Sequence, residues 1–118
     1  MVSVNALELF PGPLTEIYEA LRTRLLHLGD DVVEHFTKSQ VSFGAARKFV
    51  WLIPLTKAKA LLVIDMWEEH HSPLLRDVIP YRQDKFTHQL EVRTPADIDA
   101  VAALGWFAEA VAWGRKQH

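Results

Sequence analysis

The stretch from Phe86 to Trp113 constrains this chain more than any other, because it encodes a strand, a stop and a helix in succession. Phe86, His88, Leu90 and Val92 alternate with Thr87, Gln89 and Glu91, the period-two pattern of a strand with one covered face. Thr94-Pro95-Ala96-Asp97 then supplies a hydroxyl N-cap, a proline at the first helical position and an acid at the third, which starts a helix there. Ile98 to Trp113 follows as one helix that is apolar on nearly every side. Ile98, Val101, Ala102, Gly105 and Ala112 share one of its faces, and Leu104, Phe107 and Val111 share another. Small soluble domains seldom expose that much apolar surface, so the segment predicts contacts as well as architecture.

The remaining segments supply the other layer. Leu14, Ile17, Tyr18, Leu21, Leu25 and Leu28 form an apolar stripe at helical spacing, with Glu16, Glu19, Thr23 and His27 opposite and Gly29 as the stop. Pro11-Gly12-Pro13 sets this helix apart from a leader, Val4 to Phe10, expected to lie across the body as an extended arm. Val33 to Thr37, Gln40 to Phe43, Lys48 to Pro54 and Ala58 to Met66 read as strands joined by short connections, which implies antiparallel pairing. The last two are apolar without alternation, so both of their faces should be covered. Residues 67–85 read as a long irregular excursion with a helical turn near Pro73 to Val78. The expectation is one α+β domain over residues 1–118, with two layers. About five antiparallel strands should form the sheet, with the N- and C-terminal helices on one face.

Composition excludes more than it identifies. At 118 residues the chain is long enough to build a core without metal or disulfide staples. It has no cysteine, which removes disulfide frameworks, thiolate zinc sites and thiol catalysis. A net charge of −2 argues against nucleic acid and anionic membranes as partners. No apolar run approaches the roughly 20 residues that span a bilayer, and the first residues carry no basic cluster of a signal peptide, so the expected location is the cytoplasm. Nucleotide-binding glycine loops and serine nucleophile elbows are absent.

Several residues remain as candidates. Asp65-Met66-Trp67-Glu68-Glu69-His70-His71 is the densest polar cluster, yet adjacent histidines in extended chain point apart and the helical i, i+4 metal spacing is missing. A solvated loop therefore outweighs a metal site. His88 lies on the apolar side of its strand, and His35 is placed similarly; a lone histidine there is more often structural than catalytic. Arg76, Tyr81, Arg82 and Lys85 put cations beside aromatics in the excursion, a composition suited to a phosphate or carboxylate and equally to loop adhesion. With a sheet face rich in apolar residues, these predict a pocket for a small anion lined by Trp51, Trp67, Arg76, Arg82 and His88.

The runs Arg47-Lys48-Phe49-Val50-Trp51-Leu52-Ile53-Pro54, His88-Gln89-Leu90, Thr94-Pro95-Ala96-Asp97-Ile98-Asp99 and Leu104-Gly105-Trp106-Phe107 resemble a small bacterial domain family of unknown function, often labelled a predicted transport protein. The resemblance covers roughly residues 35 to 115. It implies a two-layer α+β domain, alone or joined to other modules, and carries no activity and no functional residues.

The expected function is a non-catalytic binding or assembly module with no catalytic residue, metal or cofactor, acting through an apolar surface on a protein partner or a small anionic ligand. Homodimerisation through Leu104, Phe107 and Val111 is expected, because the last helix has more apolar faces than one sheet can bury. The alternative is a small metal-binding protein or enzyme using His35, His88 or the Glu68–His71 cluster.

Overall fold

Gly12 enters the first long helix at φ +60°, a value that favours glycine, and Pro13 fills the first helical position of α2 (Pro13–Leu26). Leu14, Ile17, Tyr18, Leu21 and Leu25 are its buried residues, as the stripe requires. A computed structural model describes residues 4–82 and 85–116 of the chain, with the side chains of Val4, Asn5 and Arg82 outside that description. The leader is a short helix, α1 (Val4–Leu9), where an extended arm was expected. Its Ala6 and the following Phe10 are buried, and the Phe10 ring stacks on Tyr18 at 5.3 Å.

Six antiparallel strands form one sheet: β1 (Val33–Phe36), β2 (Val41–Gly44), β3 (Lys48–Pro54), β4 (Ala60–Met66), β5 (Asp77–Arg82) and β6 (Lys85–Val92). Their spatial order is β1-β2-β3-β4-β6-β5. The strand beyond the expected set of about five is β5, which starts at Asp77 in the excursion. Where a helical turn was read near Pro73 to Val78, the chain makes a hydrogen-bonded turn over residues 72–75 and then enters β5. It pairs with β6 from Asp77↔Gln89 to Arg82↔Lys85. It carries Pro80, which an edge strand tolerates because one side of its backbone needs no ladder partner.

Register decides which side chains meet the helices. Glu34, Phe43, Val50, Ile64 and His88 stand opposite one another across five strands and therefore share a face. Tyr18 of α2 hydrogen-bonds to Glu34 and its ring lies 5.9 Å from Phe36, while His88 lies 5.9 Å from Trp106 of the last helix. Both helical segments thus cover this one face, and the two-layer α+β arrangement follows. At β3 the pairing jumps from Phe43↔Val50 to Gly44↔Lys48, which leaves Phe49 as an extra residue. Such a bulge re-aims side chains, and Phe49 and Val50 are both buried, with Phe49 against Gly114.

The C-terminal helix starts as expected. The Asp97 carboxylate accepts the backbone N–H groups of Arg93 (2.7 Å) and Thr94 (3.2 Å) and closes the first turn. It is not continuous, however. Helix α3 (Pro95–Ala103) ends, Gly105 adopts φ +80°, and α4 (Trp106–Arg115) begins in a new direction. The expected single helix is corrected to two because the left-handed residue between them cannot continue an α-helix.

Trp51, Ile53, Leu61, Val63, Gln89 and Glu91 occupy the other sheet face. Among the described residues the helices pack on the opposite face, so the expected cover for both faces of β3 and β4 is supplied on one. Trp51, Ile53 and Leu61 are half-buried by their cross-strand neighbours, and Val63 is 9% exposed.

Candidate functional site

The sheet separates the residues expected to share a pocket. Trp51 stands on the open face, whereas His88 stands beneath the helices, and no cavity can take both across a paired sheet. The register parity of β3 and β6, which flank β4 in the sheet, decides this, and it was invisible in the sequence. Trp67 follows β4 and packs half-buried against the core. Arg76 precedes β5 and sits on the open side, its Nη1 3.5 Å from Glu91 Oε2. The Arg82 side chain lies outside the described residues.

His88 is buried with both ring nitrogens engaged. The His70 backbone N–H donates to Nε2 at 3.0 Å, so Nε2 is an acceptor and Nδ1 carries the proton. Nδ1–H then points at the carbonyls of Phe86 (3.0 Å) and Ile64 (3.3 Å). Burial lowers the His88 pKa, which agrees with a neutral ring. This is a side chain that fastens the 67–76 connection to the sheet. His35 is on the outer strand β1 and on the other face, so the two do not share a site. The histidine that joins His88 is His70. Its Nε2 lies 2.8 Å from Glu109 Oε1, and its ring lies 5.4 Å from Trp106 and 5.5 Å from His88. Glu68 and Glu69 are exposed, and among the described residues His71 pairs with Glu69 at 3.5 Å. Among the described residues no group of three or more His, Cys, Asp or Glu side chains could hold a metal ion.

The expected contact residues are also redistributed. Phe107 and Val111 are each 4% exposed, whereas Leu104 is 48% exposed. The break at Gly105 turns α4 so that Trp106, Phe107, Ala110, Val111 and Trp113 all face inward. Phe107 and Val111 are thus taken up by the domain's own core, and of the three Leu104 is the one exposed at the surface.

What the break creates is a groove. On its outer side, Ala20 of α2 and Leu28 just beyond the end of α2 line it opposite Ala102 of α3 and Ala108 of α4, with Phe107 also in the lining. Small side chains on both walls leave a trough of about 800 Å³ open to solvent. Arg24 of α2 bridges to Asp99 of α3, Nη2 to Oδ1 2.7 Å and Nε to Oδ1 3.2 Å. Both partners are exposed, so this pair contributes little energy and mainly fixes the spacing of the walls. Glu16 and Glu19 lie on the same rim and form no ion pair among the described residues. The sequence contained only a faint trace of this site, the alanines on the outward sides of the helices.

The open sheet face carries a second polar cluster. Lys59 (3.1 Å), Arg93 (3.3 Å) and Arg76 (3.5 Å) converge on the Glu91 carboxylate, whose pKa is lowered chiefly by the hydrogen bond from Lys59. At the other end Asp65 is buried, accepts the Thr87 hydroxyl at 2.7 Å and lies 3.6 Å from Lys85 Nζ. Its pKa is raised, because burial outweighs those two partners. Arg47 stacks on Trp113 at 3.5 Å and its Nε donates to the Trp113 carbonyl, locking the end of α4 to the β2–β3 turn.

An antiparallel sheet of six strands with its helices on one face defines a two-layer α+β domain. The chain belongs to the family described as a domain of unknown function, DUF5655, which it matches over residues 8–111. No curated protein and no solved structure matches it. Among the described residues no helix is long and apolar enough to cross a membrane.

Proposed function

We propose that this domain is a non-catalytic protein-binding module whose recognition site is the groove between α2 and the α3–α4 pair. The observation that carries the reading is the trough of about 800 Å³ lined by Ala20, Ala102 and Ala108. Concave apolar sites of this size are the usual places where proteins accept apolar groups. The His70–Glu109 pair supports catalysis less well, because the His70 Nε2 is engaged by the Glu109 carboxylate while the His70 backbone N–H is bonded to the buried His88. A neutral apolar dye such as Nile red should bind the wild-type protein and lose most of its affinity in Ala108→Trp, which fills the trough from an exposed position. Equal dye binding by both proteins at equal thermal stability would reject the groove as the site.

A second reading, a small anion held on the open sheet face, is favoured by the convergence of Lys59, Arg76 and Arg93 on the single carboxylate of Glu91. Three cations facing one acid leave positive charge for a phosphate or carboxylate. Inorganic phosphate should shift the amide resonances around Arg76 and Arg93, and Arg76→Ala with Arg93→Ala should abolish those shifts. An unchanged spectrum up to high phosphate concentration removes this reading.

A further inference from the structure

We infer that the occupant of the groove is an amphipathic helix of a partner protein with lysine or arginine on its polar side. This rests on the groove being the recognition site and adds the chemistry of what it takes.

The shape comes first. The walls are two helical segments, and α2 with its 14 residues runs about 21 Å, or four turns. A valley between two packed helices accepts a third helix at the ordinary interaxial distance when its floor is small, because the ridge of incoming side chains needs somewhere to go. Ala20, Ala102 and Ala108 provide that room, and Leu28 with Phe107 gives the apolar contact. An extended peptide is less suited, since its affinity comes from pairing with a sheet edge and the walls here are helices whose backbone groups are already bonded.

Charge then selects the helix. Glu16 and Glu19 are three residues apart on α2 and so lie on one side of it, both exposed. Neither has an ion pair among the described residues, whereas the Arg24 guanidinium on the same wall is already taken by Asp99. The groove therefore offers two unneutralised carboxylates and no unneutralised lysine or arginine. Cationic side chains flanking an apolar stripe would meet those carboxylates, and acidic ones would be repelled. The same charges disfavour a second copy of this chain as occupant. Two copies docked groove to groove would place four such carboxylates at one interface.

Two synthetic helical peptides with one leucine stripe, carrying either lysine or glutamate on the polar side, test the inference with labelled peptide and anisotropy. The lysine peptide should bind wild-type protein about tenfold or more tighter than the glutamate peptide at low salt, and the advantage should shrink as salt screens it. Glu16→Lys with Glu19→Lys should reverse the preference, and Ala108→Trp should weaken both peptides; all three positions are exposed, so the fold should persist. Equal affinity for the two peptides, or a preference unmoved by the charge reversal, overturns the cationic-helix inference and leaves the groove reading standing. Peptide binding that Ala108→Trp does not touch overturns both. A concentration-dependent dimer mass in light scattering that is lost in Ala108→Trp would make a second copy the occupant and likewise overturn the inference.

Discussion

A Cβ built on Gly114 would lie 2.5 Å from Phe49 Cδ1 and 3.0 Å from the Arg47 carbonyl oxygen, closer than side chains normally approach. Glycine inside a helix usually costs about 0.5–1 kcal/mol relative to alanine, so Gly114→Ala should stabilise an isolated α4. Here the bulge at Phe49 has placed a buried ring against the helix backbone, and overpacking of that kind costs about 1–3 kcal/mol. Urea unfolding should show Gly114→Ala to be less stable than wild type; a gain in stability would mean the ring can yield. His88 gives a second prediction at this scale. Its pKa is lowered on folding, so below the ordinary histidine value the unfolded chain binds a proton that the folded chain does not. Stability from this group is therefore full above about pH 6.5 and is lost as pH falls below it. The difference in urea midpoint between pH 8 and pH 5 should be smaller in His88→Gln than in wild type. Asp65 acts in the opposite sense, since its raised pKa favours the folded state on acidification, and comparison with the variant cancels that contribution.

Among the elements, the break between α3 and α4 has the largest consequences. Gly105 holds φ +80°, a conformation that costs an L-residue roughly 1–2 kcal/mol, so Gly105→Ala should lower stability by about that much although alanine is the better helix former. The break also reassigns the apolar residues that had looked like a contact surface. Phe107→Glu should cost about 3–5 kcal/mol or prevent folding, as expected for an unpaired charge in a core. Leu104→Glu, at an exposed position, should change stability by no more than about 0.5 kcal/mol. Thermal unfolding of the pair distinguishes this assignment from the one based on an unbroken helix, in which both side chains face outward together. The helix start at Thr94 was legible because capping is local: proline, acid and hydroxyl act within one turn. The break was not, because Leu104-Gly105 differs little from a tolerated mid-helix glycine until α4 has packed. Strand β5 was hidden for a related reason, since Pro80 argues against a central strand and only pairing with β6 puts Asp77–Arg82 at an edge.

For the whole molecule, no metal or ligand need be invoked to hold the layers together. The core runs without interruption from Phe10 of the leader through Val50, Leu62 and Leu90 to Trp113. Chelator treatment should leave the cooperative thermal transition unchanged, and a lower midpoint would point to a metal site beyond the described residues. What the sequence determined by itself was the set of α2, β1 to β4, β6 and the start of α3, together with antiparallel pairing and the placing of the helices on one side. Each of these follows from hydrophobic period, capping and connection length, which act over a few residues. The tertiary structure alone decided which side chains share a site. His88 meets His70 and Glu109 rather than His35, Trp51 is parted from His88 by the sheet, and Ala20 faces Ala102 and Ala108 across a groove. Such relations depend on register parity and on how segments distant in the chain pack. A shift of one residue in a strand, or of one turn between helices, exchanges the faces while leaving every local pattern intact.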